Sequence, residues 1–352
     1  MKTQKSELKR FFLNLPWLLL IPLGWALPKL AAKYPMVIEE YFSRKFYPVL
    51  SGALGAVSSL VPCSLAEILI CSLFISITIG FLARLIRLIF RKISPIQILN
   101  RVLALFITAG FLLNLFYFAW GFNYSRLPLS SLMSLDVEAR PAEELQKLCL
   151  SLVQEANELR TKVPEDENGV ATFSCSDHEY FERVAEAYTK LGQKNSLFSR
   201  HVYPAKPVIL SKAMSYTGIV GIFIPYTAEA NVNVHEPKLL TAANAAHETA
   251  HYLGIAREDE ANFVAYLACT ESDDPSIAYS GVMLALIHAT NQLYKTDATL
   301  YQAVGSTYSD AVRRDLANHS EYWDAYEGPV QENADKLNDN YLKHNNQESG
   351  IK

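Results

Sequence analysis

The chain has 352 residues, half of them hydrophobic, and a formal charge of −4. That length accommodates one large domain, or a membrane part followed by a domain of medium size. The balance lacks the basic surplus of a nucleic-acid binder, so no nucleic-acid partner is expected.

Residues 1–10 are basic, with Lys2, Lys5, Lys9 and Arg10 against Glu7. An apolar run follows from Phe11 to Leu27, with Trp17 and Trp25 placed as interface anchors. A charged start and a short apolar run also describe a signal peptide, but no clean small-x-small cleavage site follows. Pro16, Pro22 and Pro28 suit an irregular membrane helix, so a retained span over about 11–28 is expected. The small-residue run from Ser51 to Val61 is expected to lie against the bilayer. Two further apolar stretches, about 66–90 and 102–120, are each near the roughly 20 residues that cross a core of about 30 Å.

The link between these stretches carries Arg84, Arg87, Arg91, Lys92 and Arg101 and no acid. The positive-inside bias puts this link and the basic N-terminus in the cytoplasm. Three spans then place everything after Trp120 outside. Residues 1–121 are thus expected to be a multi-pass anchor in the cell membrane, and residues 122–352 an extracytoplasmic domain.

That domain reads as α+β and mostly helical. Helices are expected over 138–163, 177–191, 238–253, 257–270, 275–293, 307–318 and 329–344, and short strands over 207–210, 218–225 and 231–234. The five cysteines (Cys63, Cys71, Cys149, Cys175 and Cys269) are odd in number and lack CxxC spacing. This excludes a disulfide framework or a cysteine metal site. Export would allow Cys149 to pair with Cys175, but buried free thiols are the expectation.

The chemistry concentrates in His247-Glu248-Thr249-Ala250-His251. On a helix, residues four apart share a face, so two imidazoles can grip one zinc ion while Glu248 acts as general base and acid. Pro237 suits the first helical position and Gly254 the position just past the end. Glu258, Asp259 and Glu260 open the next helix. Glu260 precedes the apolar Phe263 and Val264 by three and four residues, which points it inward as the third metal ligand. Glu258 and Asp259 suit the positive end of the helix dipole instead. Asp259 and Asn262 are candidates to orient a ligand imidazole. The HExxHxxGxxH pattern fails at Arg257, which excludes the metzincins. The oxyanion donor is open among Tyr216, Tyr252, Tyr266, Tyr279 and His288. The glycine-punctuated stretch 218–226 is a candidate edge strand for pairing with an extended peptide, with a core strand the alternative.

Three apolar spans, then Trp120-Gly121-Phe122-Asn123-Tyr124-Ser125-Arg126-Leu127-Pro128, Tyr216-Thr217-Gly218, Glu229-Ala230-Asn231-Val232-Asn233 and the 247–267 segment stand in an order that resembles one family. It is the bacterial membrane-protein family catalogued as domain of unknown function 3810, regarded as zinc-peptidase-like from its motif. Glu260-Ala261-Asn262-Phe263 is also similar to the third-ligand segment of short bacterial zinc peptidases of gluzincin type. The resemblance implies a zincin-like fold, a metal held by His247, His251 and Glu260, and a peptide or protein substrate. The expected activity is membrane-anchored, zinc-dependent peptide hydrolysis. The alternative is a non-catalytic sensor or scaffold that binds a peptide or wall fragment through the same site.

Overall fold

The computed structural model describes residues 2–89 and 94–345. Arg91, Lys92, the expected end of the second span at Phe90 and the polar tail beyond Asn345 lie outside the described residues. The chain divides into two compact units, Met1–Leu50 with Leu65–Leu127, and Ser51–Ser64 with Pro128–Lys352.

Among the described residues, three helical segments are long and apolar enough to cross a membrane: Gln4–Ala31, Leu65–Arg84 and Pro95–Ala119. The first is composite. Helix α1 (Lys2–Asn14) passes through a 3-10 stretch, Leu15–Leu19, into α2 (Leu20–Ala31). Pro16 has no N–H for an α-helical bond and sits in the first turn of the tighter stretch. Helix α3 (Tyr47–Ser58) begins in the first unit and ends in the second, and α4 (Leu65–Ile89) and α5 (Pro95–Ala119) complete the apolar set.

Small side chains let α2 and α5 approach closely. A Cβ on Gly24 would stand 2.7 Å from Leu113, and one on Gly110 would meet Leu20 and Ile21. Asn114 Nδ2 donates to the Leu20 and Gly110 carbonyls, each at 2.7 Å, so its amide hydrogens have partners away from water. Beyond the spans, buried Glu39 takes two 2.9 Å bonds from Arg126 and one of 2.8 Å from Arg44. Burial alone would raise that carboxyl's pKa, but the two guanidiniums bring it below the usual range. Arg126 of the Trp120–Pro128 stretch is therefore a structural lock on the π-helical stretch Ile38–Phe46.

The second unit is mostly helical with a small sheet. Its strands and longer helices are α6 (Ala142–Arg160), α7 (Asp177–Lys194), β1 (Lys206–Pro207), β2 (Gly221–Ile224), β3 (Glu229–Val232), α8 (Thr241–Tyr252), α9 (Glu258–Thr270), α10 (Pro275–Thr296), α11 (Ala298–Gly305), α12 (Asp310–Asp324) and α13 (Pro329–His344). The sheet order is β1-β3-β2, with β1 parallel and β2 antiparallel to β3. The expected helix 307–318 corresponds to α12, which runs from Asp310 to Asp324, and α11 forms in a stretch where no helix was expected. The expected strand 207–210 is met only at Pro207, where the two-residue strand Lys206–Pro207 ends, because Ser211 Oγ closes a turn onto the Val208 carbonyl at 2.6 Å. Ile209 and Leu210 lie in that turn. All five cysteines are free thiols, with Cys149 and Cys269 buried.

Helix α8 runs through the core because it is lined with alanine. Ala242, Ala243, Ala245, Ala246 and Ala250 are fully buried, and small side chains admit neighbours on every face. Its first turn has no side-chain cap of its own; the Ala243 N–H donates instead to Ser280 Oγ of α10 at 3.0 Å. The helix starts at Thr241, four residues after Pro237. Lys238 Nζ bonded to the Val234 carbonyl and Asn244 bonded to Glu236 hold residues 234–240 in a turn.

The end of α3 also belongs here. Ser51 Oγ accepts from Arg200 Nη2 at 2.6 Å, and a Cβ on Gly55 would stand 2.6 Å from the Tyr203 ring. Lys206 Nζ donates to the Ser58 and Cys63 carbonyls and to Glu229 Oε1, at 2.6, 3.2 and 2.6 Å. Ser51–Ser64, which precedes the second apolar helix, is thus built into the unit that carries α8. The expected domain start at residue 122 omits it.

Candidate metal centre

His247 and His251 project from one face of α8, with ring centroids 4.6 Å apart and planes perpendicular. His247 Nδ1 is 2.8 Å from Asn262 Oδ1, and His251 Nδ1 is 2.7 Å from the Ile255 carbonyl. A carbonyl oxygen only accepts, so His251 Nδ1 carries a proton and its Nε2 faces inward. These are the outer contacts that fix the tautomer and direction of a ligating imidazole.

The turn after α8 makes the second contact. Gly254 has φ +86°, its N–H bonds to the His251 carbonyl, and the Ile255 N–H reaches back to Ala250. That paired pattern is a Schellman ending, and glycine adopts its left-handed position without strain. The chain reverses there and presents the Ile255 carbonyl to His251.

The third group is Glu258. Its carboxylate lies 3.1 Å from His247 Nε2 and 3.7 Å from His251 Nε2. His247, His251 and Glu258 each offer one donor atom within 4.8 Å of the others. Burial would raise the Glu258 pKa, but the charge on His251 and the bonds from both imidazoles take it well below the usual range. His251 moves the other way: burial lowers its pKa, and the Glu258 carboxylate more than offsets that.

This corrects the expected position of Glu260. Its Oε1 accepts from the Leu129 N–H at 2.7 Å and from Arg257 Nη1 at 2.9 Å. The expectation takes Phe263, Val264 and Leu267 to mark the buried face of α9; Val264 is buried, but Phe263 is 37% exposed and Leu267 is half-buried. The buried stripe is Ala261, Val264, Ala265 and Ala268, at i, i+3, i+4 and i+7. Glu258 stands three and four residues before Ala261 and Asn262 and shares their side of the helix. Asp259 is exposed, and Asn262 alone of the two outer candidates reaches an imidazole.

Glu248 is buried beside the cluster. Burial, with help from the Glu258 charge, raises its pKa to about 8 against the opposing effects of His247 and a bond from the Phe223 N–H. Its Oε2 has no hydrogen-bond partner among the described residues. Strand β2 lies close alongside. A Cβ on Gly221 would stand 2.6 Å from Glu248 Oε1 and 2.7 Å from its Cγ, so only glycine leaves the acid its place. The Asn233 N–H bonds to the Val220 carbonyl, and Ile222 pairs with Asn231. Antiparallel alternation then turns the N–H groups of Gly221 and Phe223 away from β3, towards an edge that no described strand covers.

Of the other candidates, Tyr279 donates to Asp315 and serves the core. Tyr252 stacks under Arg200, 5.2 Å from the guanidinium. His288 has a lowered pKa through burial and the charge on His247. The contributions of Ile255 and Phe223 are backbone groups, which leave no trace in residue type. Gly221 stands within the stretch singled out as an edge strand.

Two imidazole nitrogens and a carboxylate form a donor set suited to a tetrahedral divalent metal with one open position. A basic carboxyl with an unpartnered oxygen beside it is placed for proton transfer. Neither a curated protein nor a solved structure matches the chain. The model of the family described as "Protein of unknown function (DUF3810)" matches residues 42–352, and the chain belongs to that family.

Proposed function

We propose that this chain is a membrane-anchored zinc metallopeptidase with a zincin-like catalytic unit outside the cytoplasm. His247, His251 and Glu258 hold the metal and Glu248 is the general base and acid. The observation that carries the reading is the convergence of both Nε2 atoms and the Glu258 carboxylate, next to a buried Glu248 oxygen without a partner. Zinc in this site supplies Lewis-acid activation of water and of the substrate carbonyl. Asn262 and the Ile255 carbonyl hold the imidazoles in their ligating tautomer. Glu248, with its pKa raised towards neutrality, takes a proton and returns it to the leaving amine. The outer edge of β2, beside the Glu248 that accepts from the Phe223 N–H, pairs with the extended backbone of a peptide or protein substrate, independent of its sequence.

The fold also supports the membrane arrangement. Ser51–Ser64 precedes the second apolar helix and Pro128–Lys352 follows the third, yet they form one compact unit. They must share a side of the bilayer, as they do if α4 and α5 both cross. The basic residues flanking the apolar helices set which side.

The test uses the full chain, since a fragment starting at residue 122 lacks the Ser51–Ser64 segment. One zinc per chain and hydrolysis of a peptide library are expected. Glu248→Gln should keep the metal and lose about 10²–10⁴-fold in rate. Glu258→Ala should lose the metal, whereas Glu260→Ala keeps it. Metal-free protein would sink the proposal, and zinc without hydrolysis would favour a binding-only sensor.

A further inference from the structure

The part of α3 in the second unit is amphipathic in the inverted sense. Its inward residues are Ser51, Gly55 and Ser58, spaced i, i+4 and i+7, and each is buried. Its outward residues are Ala53, Ala56 and Val57, followed by Leu60 just beyond the helix, with Val57 62% and Leu60 82% exposed. A helix facing water shows the opposite pattern. A second apolar element stands near it. Lys206 Nζ is bonded to the Ser58 and Cys63 carbonyls on either side of Leu60. Three and four residues after Lys206, the turn before Ser211 presents Ile209 and Leu210, 75% and 52% exposed. Two bulky aliphatic side chains at the tip of a turn gain nothing from water.

Chain connectivity identifies the occupant. The apolar window Leu65–Arg84 has 20 residues, which at 1.5 Å per residue span about 30 Å, the thickness of a hydrocarbon core. Leu65 therefore marks the edge of that core, and Cys63 lies within roughly 7 Å of it along the chain. The Lys206 anchor and the Ile209–Leu210 turn are tied to this short stretch. We propose that Ala53, Ala56, Val57, Leu60, Ile209 and Leu210 form a lipid-facing patch, by which the unit carrying the histidine cluster rests in the interfacial layer of the bilayer. The patch tethers β1 directly and, through the β1–β3 pairing, the sheet. This inference rests on α4 crossing the membrane and is independent of the metal.

Nitroxide accessibility in the full chain in phospholipid vesicles tests it. In a Cys63→Ser, Cys71→Ser, Cys175→Ser background, the remaining Cys149 and Cys269 are buried, and burial pushes the Cys269 thiol up to about 12, leaving it unreactive. Labels are placed at Ile209→Cys and Leu60→Cys, with Ala53→Cys as a second position on the helix should either variant misfold. Glu167→Cys, in the exposed acidic turn 165–168, is the aqueous reference. Labels at 209 and 60 should collide at least several-fold more with oxygen relative to a water-soluble nickel chelate than the label at 167. Nickel collisions at 209 and 60 equal to those at 167 would overturn the patch. Shielding from both reagents would also overturn it, because a protein surface would then cover these residues.

Discussion

Two of the places where the second unit buries charge are finished differently. At Asp315 both carboxylate oxygens are taken. Arg160 Nε and Nη2 donate at 2.5 and 3.3 Å, the Tyr279 hydroxyl at 2.8 Å and the Ala171 N–H at 2.8 Å. This fully satisfied hub fastens α6, the 164–172 turn, α10 and α12. At the histidine cluster the imidazoles are equally well oriented from outside, but on the inside three donors share one space and Glu248 Oε2 has no partner. Closed networks rigidify a core, whereas an unsatisfied buried group costs stability and calls for a functional reason. At the histidine cluster the unsatisfied oxygen coincides with three converging donors, a combination that the Asp315 network lacks.

The largest effect should come from breaking the closed network. Asp315→Ala leaves the Arg160 guanidinium buried without its main partner and should cost about 3–5 kcal/mol, read as a lowered unfolding midpoint. Metal bound per folded chain should not change. A loss below about 1 kcal/mol would remove the distinction drawn here.

The open site should respond to pH instead. Glu248 and Glu236 are both buried carboxyls with pKa values raised to about 8, chiefly by burial, and each has an oxygen without a partner. Below about pH 4.5 both folded and unfolded chains hold these protons, and stability is unaffected. Between about 4.5 and 8 the unfolded chain releases them while the folded chain keeps them, so rising pH erodes stability. In metal-free protein, Glu248→Gln and Glu236→Gln should each remove part of that decline, by on the order of a few kcal/mol at pH 8. Only Glu248→Gln should also lower the hydrolysis rate, by the same factor of about 10²–10⁴. Equal losses of activity would place Glu236 in the chemistry as well.

Gly221→Ala probes the same site from the strand side. The added Cβ must displace the Glu248 carboxyl. A drop in rate of about tenfold or more with metal retained is expected. Adding Glu248→Asp, which shortens the acid, should reduce the further penalty of the alanine. An additive double variant would show that the two residues do not compete for space.

What was legible in the sequence follows from what local pattern can encode. His247, Glu248 and His251 were readable because a four-residue spacing fixes a helix face. Gly254 was readable because a helix end needs a left-handed residue. The third carboxylate is misread because the buried stripe of α9 joins Val264 to three alanines, whose weak hydrophobicity gives way to Phe263 and Leu267. The carbonyl of Ile255 and the N–H of Phe223 have no residue signature at all. The incorporation of Ser51–Ser64 depends on Lys206 and Arg200, about 150 residues away, and no local periodicity reports such a contact.

The smallest effect tests how far the outer shell of the site matters. Gly254→Ala forces a side chain into a left-handed position at φ +86°, at a cost of about 1 kcal/mol. Stability alone would make this an ordinary turn substitution. The same turn, however, aims the Ile255 carbonyl at His251 Nδ1. If strain relaxes it, the imidazole loses its orienting partner and metal affinity should fall about 10–100-fold. Gly254→Asn tolerates the left-handed position better and should recover most of that affinity. A Gly254→Ala protein that loses stability yet binds zinc as tightly as the parent would confine the turn to the framework side of the comparison, and would leave Asn262 as the one outer contact that tunes the site.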